Sequence, residues 1–121
     1  MKKAIGVLLL ISVVFMSCKT TKTESVVGVY KGMFPCADCE GIDNILTLNE
    51  DKTFVLETIY LGKEGAKTFT NKGYYKVDDK QLRLLDKSAF KYQIEDDYLE
   101  LLDISGNKIE SQLNYKLIKQ K

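Results

Sequence analysis

Thr53-Phe54-Val55-Leu56-Glu57-Thr58-Ile59-Tyr60-Leu61, a turn at Gly62-Lys63-Glu64-Gly65, then Lys67-Thr68-Phe69-Thr70-Asn71-Lys72-Gly73-Tyr74-Tyr75-Lys76-Val77: these residues decide the fold class. The first segment puts Phe54, Leu56, Thr58 and Tyr60 on one face. The second puts Phe69, Gly73, Tyr75 and Val77 on one face and Thr68, Thr70, Lys72, Tyr74 and Lys76 on the other. A period of two marks a β-strand, because successive side chains leave opposite faces of a pleated backbone. The glycine-bearing turn makes the two segments a hairpin.

The same pattern continues outward in both directions. Toward the N-terminus, Ile45 to Leu48 precedes a turn at Asn49-Glu50-Asp51-Lys52, and Val27 to Met33 forms an earlier apolar run. Toward the C-terminus, Asp78-Asp79-Lys80 turns the chain into Gln81 to Leu85. Phe90 to Ile94, Tyr98 to Asp103 and Leu113 to Leu117 complete the set. About eight short strands with short connections, and no helical period of useful length, predict an all-β domain of antiparallel neighbours. A meander of this size leaves open edges unless it closes. The expected solution is a small up-and-down barrel of about eight strands, with a flattened sandwich as the alternative.

Composition narrows the chemistry. The chain contains no histidine, so imidazole metal sites and Ser-His or Cys-His nucleophile pairs are excluded. A formal net charge of +1 gives no electrostatic case for binding nucleic acid. Asp78-Asp79 and Asp96-Asp97 are paired carboxylates, but they fall in predicted turns and read as solvated turn residues rather than acid–base machinery. No enzymatic constellation emerges. Tyr30, Tyr60, Tyr75, Tyr92 and Tyr115 stand at strand spacing, either as core or as the lining of an interior that holds a small apolar guest.

The N-terminus reads as an export signal. Lys2 and Lys3 precede an uncharged apolar run of thirteen residues, Ala4 to Met16. That length fits a signal-peptide core and falls short of the roughly 20 residues needed to span a bilayer. Phe15-Met16-Ser17-Cys18 resembles the bacterial lipobox, with Phe15 where leucine is usual. The resemblance implies cleavage after residue 17 and acylation of Cys18. Lys19 to Ser25 is polar, lacks apolar periodicity and reads as a tether. The expected organisation is therefore a lipoprotein signal over 1–17, a lipidated cysteine with its tether over 18–25, and one domain over 26–121. Several acyl chains on Cys18 would anchor that domain to a membrane stably. With no aspartate after Cys18, Lys19 favours the outer membrane, with the domain facing the periplasm.

If Cys18 is lipidated, Cys36 and Cys39 remain as an even pair in an oxidising compartment. A disulfide between them is the default expectation. Three uses of the Cys-x-x-Cys pair are open: a clamp on a loop at a barrel mouth, capture of a soft metal ion, or sensing of oxidation. Catalytic disulfide exchange is disfavoured, since no helix is predicted to begin at Cys36 and lower its pKa.

Gly28-Val29-Tyr30-Lys31-Gly32-Met33-Phe34-Pro35-Cys36-Ala37-Asp38-Cys39-Glu40-Gly41-Ile42 closely resembles the N-terminal domain of the NlpE lipoproteins, also called copper resistance or copper homeostasis lipoproteins. Ile45 to Leu48, Thr53-Phe54 and Leu113-Asn114-Tyr115 fit later parts of that pattern. The resemblance implies a lipocalin-like barrel, an outer-membrane lipid anchor, and a link to copper handling or envelope stress through an envelope protein partner. It sharpens the metal reading to Cu(I) held by Cys36 and Cys39, because thiolates suit that ion. Met33 could add a thioether, although its apolar strand also suits it to core packing. Two departures stand out: Tyr75 occupies a position where the family often has tryptophan, and no sequence follows Lys121. Signalling tied to the second domain of the enterobacterial member is therefore not expected here.

Overall fold

A computed structural model describes residues 25–62 and 64–121. The signal segment, Cys18 and the tether up to residue 24 lie outside the described residues. The rest forms eight strands: β1 (Gly28–Phe34), β2 (Gly41–Leu48), β3 (Thr53–Leu61), β4 (Lys67–Asp78), β5 (Gln81–Leu84), β6 (Lys91–Ile94), β7 (Tyr98–Leu101) and β8 (Lys116–Lys119). Each pairs antiparallel with the next, and β8 returns to β1, so the meander closes into a barrel. Closure removes the edges that an open meander would leave along the length over which all eight strands pair.

The alternation read from the sequence becomes an inside and an outside. Tyr30, Leu46, Leu48, Phe54, Leu56, Tyr75, Leu82, Leu84, Tyr92, Leu99 and Leu117 form one buried core. Leu46, Leu82, Leu99 and Leu117 are fully shielded from solvent, so side chains fill the interior. The hydroxyl of Tyr30 donates to the Val26 carbonyl across 2.8 Å, and that of Tyr75 donates to the Asn49 carbonyl across 2.8 Å. Two large inward rings thus keep their polar ends satisfied at one mouth.

β3 matches its expected span, most others shift by one or two residues at an end, and β2 and β8 differ by more. β2 begins at Gly41 rather than Ile45. The polar Asp43-Asn44 pair interrupts the apolar period, yet the backbone stays in the ladder, with Asn44 opposite Thr58. β8 runs over Lys116–Lys119 rather than Leu113 to Leu117. The Asn114 side chain explains the shift. Its amide donates to the Met33 carbonyl at 3.0 Å, and its carbonyl oxygen accepts from the Lys116 amide at 3.2 Å. That geometry makes residues 113–115 an approach turn and leaves Leu113 58% exposed.

The strands are unequal in length. β3 and β4 have nine and twelve residues, while β5 to β8 have four each, so the β2–β3–β4 sheet overreaches the barrel at one end. Tyr60 and Phe69 lie on that overreach. They are exposed there rather than buried with Phe54 and Leu56, and their rings pack edge-to-face at 5.6 Å.

Candidate functional site

The Cys-x-x-Cys segment connects β1 to β2 at the overreaching end. Cys36 and Cys39 are joined as a disulfide with Cα atoms 5.4 Å apart. Ala37 and Asp38 between them are exposed, while both cysteines are half-buried. The loop is tied down where it re-enters the sheet: the Glu40 amide donates to the Leu61 carbonyl at 2.9 Å. Leu61 ends β3, so this bond couples the disulfide loop to the β3–β4 turn.

Gly41 neighbours both Cys39 and Met33. Cys39 Sγ lies 3.4 Å from the Gly41 carbonyl oxygen, where a thiol would donate once the disulfide is reduced. On the same residue, an added Cβ would come within 2.7 Å of the Met33 sulfur. Met33 is 45% exposed, not in the core. Strand alternation explains the correction, because Tyr30, Gly32 and Phe34 take the inward positions of β1 and Met33 takes an outward one. The thioether is thereby left on the same side of the molecule as the cysteine loop.

A cleft of about 640 Å³ separates the disulfide loop from the β3–β4 turn. Among the described residues, Asp38, Glu40 and Glu64 line it together with Lys67, with Cys39 and Tyr60 on its walls. Among the described residues, no three His, Cys, Asp or Glu side chains converge into a cation cage. Of the sulfur-bearing residues, Cys39 borders this cleft, beside the carboxylates of Asp38, Glu40 and Glu64. Two-electron reduction of the disulfide would turn Cys36 and Cys39 into two thiols; thiolate and thioether sulfur are the donor types that suit soft metal ions.

The opposite mouth has a different character. A cavity of about 700 Å³ there is lined by Val26, Tyr30, Lys52, Tyr75, Ile94 and Lys119, among others. Burial, with a smaller contribution from Tyr75, pushes the Tyr30 phenol up from 10.0 to about 12. Tyr75 is raised by burial and by the Asp51 charge, and Tyr92 by burial and Asp86. These phenols stay neutral at physiological pH and serve as packing groups with one hydrogen bond each at Tyr30 and Tyr75. Of the five tyrosines set out as possible lining, Tyr30, Tyr75 and Tyr92 are core. Tyr60 stacks on Phe69, and Tyr115 packs edge-to-face on Phe34 at 5.7 Å. Asp79, Asp96 and Asp97 are exposed in turns and Asp78 ends β4 exposed, in keeping with their reading as turn carboxylates.

Sequence reasoning missed three contributors to the site. Glu64 and Lys67 enter it only because the β3–β4 turn folds beside the cysteine loop. Gly41 enters through the close approach of Met33, and the glycine after the cysteine pair was the available signal for it.

Together these features define a class: a small closed up-and-down barrel with a disulfide-closed loop at one mouth. Residues 30–112 match the NlpE N-terminal domain, and the chain belongs to that family. It is 43% identical over 91 residues to lipoprotein NlpE of Escherichia coli, covering 73% of this chain and 39% of the relative. The chain thus spans about two fifths of that relative's length. Among solved structures, one assigned to a lipoprotein of Shewanella oneidensis superposes with a TM-score of 0.70 at 39% identity, covering 78% of this chain and 88% of the other. The crystal structure of the Cpx pathway activator NlpE from Escherichia coli superposes with a TM-score of 0.63 at 39% identity, covering 78% and 51%.

Proposed function

We propose that this chain is a non-enzymatic lipoprotein of the bacterial envelope, anchored through acylated Cys18 to the outer membrane and facing the periplasm, whose Cys36–Cys39 loop responds to copper or oxidation. The observation that carries this reading is positional. The chain enters the barrel at Ser25 to Val27, which line the mouth formed by the Asn49–Lys52 and Asp78–Lys80 turns. The cysteine loop lies at the other mouth. Seven Cα-to-Cα steps separate Cys18 from Ser25, a reach of at most about 25 Å. β3 alone carries the chain about 30 Å toward the far mouth. Anchorage at Cys18 therefore holds the tyrosine mouth near the bilayer and presents the sulfur mouth away from it, where a partner can reach it.

In the oxidised state the loop is closed and the Glu40–Leu61 bond docks it on the hairpin. Reduction adds two electrons and two protons and gives two thiols; Cu(I) binding then displaces those protons. Either event changes the turn that displays Asp38 and Glu40. We infer a signalling role in envelope stress by analogy with the Escherichia coli relative, a Cpx pathway activator. The carrier alternative is the weaker one, because an apolar guest inside the barrel would have to displace the buried leucines.

Cu(I) titration of the reduced chain, beside a Cys36→Ser/Cys39→Ser variant, tests the metal arm. Equal uptake by both proteins would reject it. Intact-mass measurement of the envelope-extracted protein tests the anchor, since acyl chains on Cys18 add mass that an unacylated chain lacks.

A further inference from the structure

β4 is longer than the strand that should cover it. It pairs with β3 from Lys67 to Tyr74, but β5 joins it only from Tyr75 onward. The Tyr75 amide donates to Lys52 on the β3 side, while the Tyr74 carbonyl accepts from Leu85 on the β5 side. Antiparallel alternation then turns the N–H and C=O groups of Thr68, Thr70 and Lys72 outward, away from β3. Among the described residues these groups have no ladder partner.

Such a row is a template for another strand. The side chains around it suit one: Thr68 and Thr70 are small, and the exposed Phe69 and Tyr74 give apolar surface on opposite faces. The edge also leads to a charged end. Lys67, where the edge begins, lines the cleft that holds Asp38, Glu40 and Glu64 beside the disulfide. Among the described residues that line it, three carboxylates face one ammonium, acceptors for a basic side chain.

We propose that the Lys67–Gly73 edge is a docking strand, taking an extended segment of an envelope protein by β-strand addition, with a lysine or arginine of that segment seated at Asp38, Glu40 and Glu64. Main-chain bonds to Thr68, Thr70 and Lys72 supply affinity, and the acidic cleft selects the segment. Because Glu40 and Cys39 border that cleft, the disulfide state would tune the docking; this last link rests on the function proposed above.

The test uses the full-length acylated chain in lipid nanodiscs and a synthetic peptide, Lys-Val-Thr-Val-Thr-Val, with its reversed sequence and a version carrying glutamate for lysine. Amide hydrogen exchange at Thr68, Thr70 and Lys72 is expected to slow about tenfold or more on adding one of the lysine peptides, and not with the glutamate peptide. Thr70→Pro, which removes one outward donor, should abolish that protection. Glu40→Gln/Glu64→Gln, which keeps the edge intact, should weaken binding severalfold. Protection elsewhere, equal binding of the glutamate peptide, or protection without peptide that grows with protein concentration would overturn the proposal; the last would assign the edge to a second copy. Repeating the titration with Cys36→Ser/Cys39→Ser separates the two claims. Unchanged docking leaves the edge standing and counts against redox control.

Discussion

The carbonyl oxygen of Lys116 occupies the position where a side chain on Gly32 would have to begin, with a methyl of Leu117 3.0 Å from the same point. β8 therefore crosses β1 in direct backbone contact at this residue. The seam is otherwise short, with Tyr30 opposite Lys119 and Lys31 opposite Ile118. Gly32→Ala is expected to force the strands apart and to destabilise the barrel by about 2 kcal/mol or more, within the range for overpacked sites. Urea unfolding measures this. A loss below about 0.5 kcal/mol would show that the seam yields freely.

Gly41 poses a milder version of the same problem. The obstacle there is the Met33 thioether, which is half exposed and free to swing away. Gly41→Ala is predicted to cost under about 1 kcal/mol and to move the Met33 methyl resonance in an NMR spectrum. Combined with Met33→Ala, the cost should shrink. Strict additivity in that double-mutant cycle would mean the two residues do not interact.

Leu117 and Leu113 separate the two possible registers of the last strand. Leu117 is fully buried, so Leu117→Ala should cost about 2–5 kcal/mol. Leu113 is mostly exposed, and Leu113→Ala should fall within about 0.5 kcal/mol of the parent. The reverse ranking in thermal or urea melts would restore Leu113 to the ladder.

Closing a loop as short as Cys36 to Cys39 gives about 2 kcal/mol of stabilisation from loop entropy. Reduction should therefore lower the unfolding free energy modestly while leaving the far-ultraviolet spectrum unchanged. Its local effect should be larger. Exchange of the Glu40 amide, which depends on the docked loop, is expected to speed up while the amides of Leu46 and Leu56 stay protected. Uniform acceleration across the barrel would contradict a local role.

Alkali should unfold this protein through its tyrosines. Tyr30 is raised to about 12 by burial, and Tyr75 and Tyr92 are raised as well. Below pH 10 both folded and unfolded states hold these protons, so these groups leave stability flat. Above it the unfolded chain releases protons that the folded chain retains, and stability falls as pH rises. Denaturation midpoints from pH 8 to 11.5 check this, and Tyr30→Phe should flatten part of the decline. A midpoint that rises above pH 10 would reverse the assignment.

Much of the fold was legible because inward and outward positions alternate. Phe54 and Leu56, Tyr75, and Tyr92 declared their strands and their faces. The misreadings occurred where one residue served a tertiary purpose against its local pattern. Asn44 is polar but only 6% exposed, and it hid the first half of β2. Asn114 caps a neighbouring strand and displaced the start of β8. Met33 is apolar but faces out.

The sequence by itself determined the strands, the turns and the cysteine pair, because backbone preference, side-chain alternation and loop length are local properties. Tertiary structure alone decided which mouth carries the sulfurs, what borders them and which strand edge stays open. Those outcomes depend on the relative lengths of strands far apart in the chain and on how closely Gly32 lets β8 approach β1. No local window of sequence encodes a contact between residues 84 positions apart.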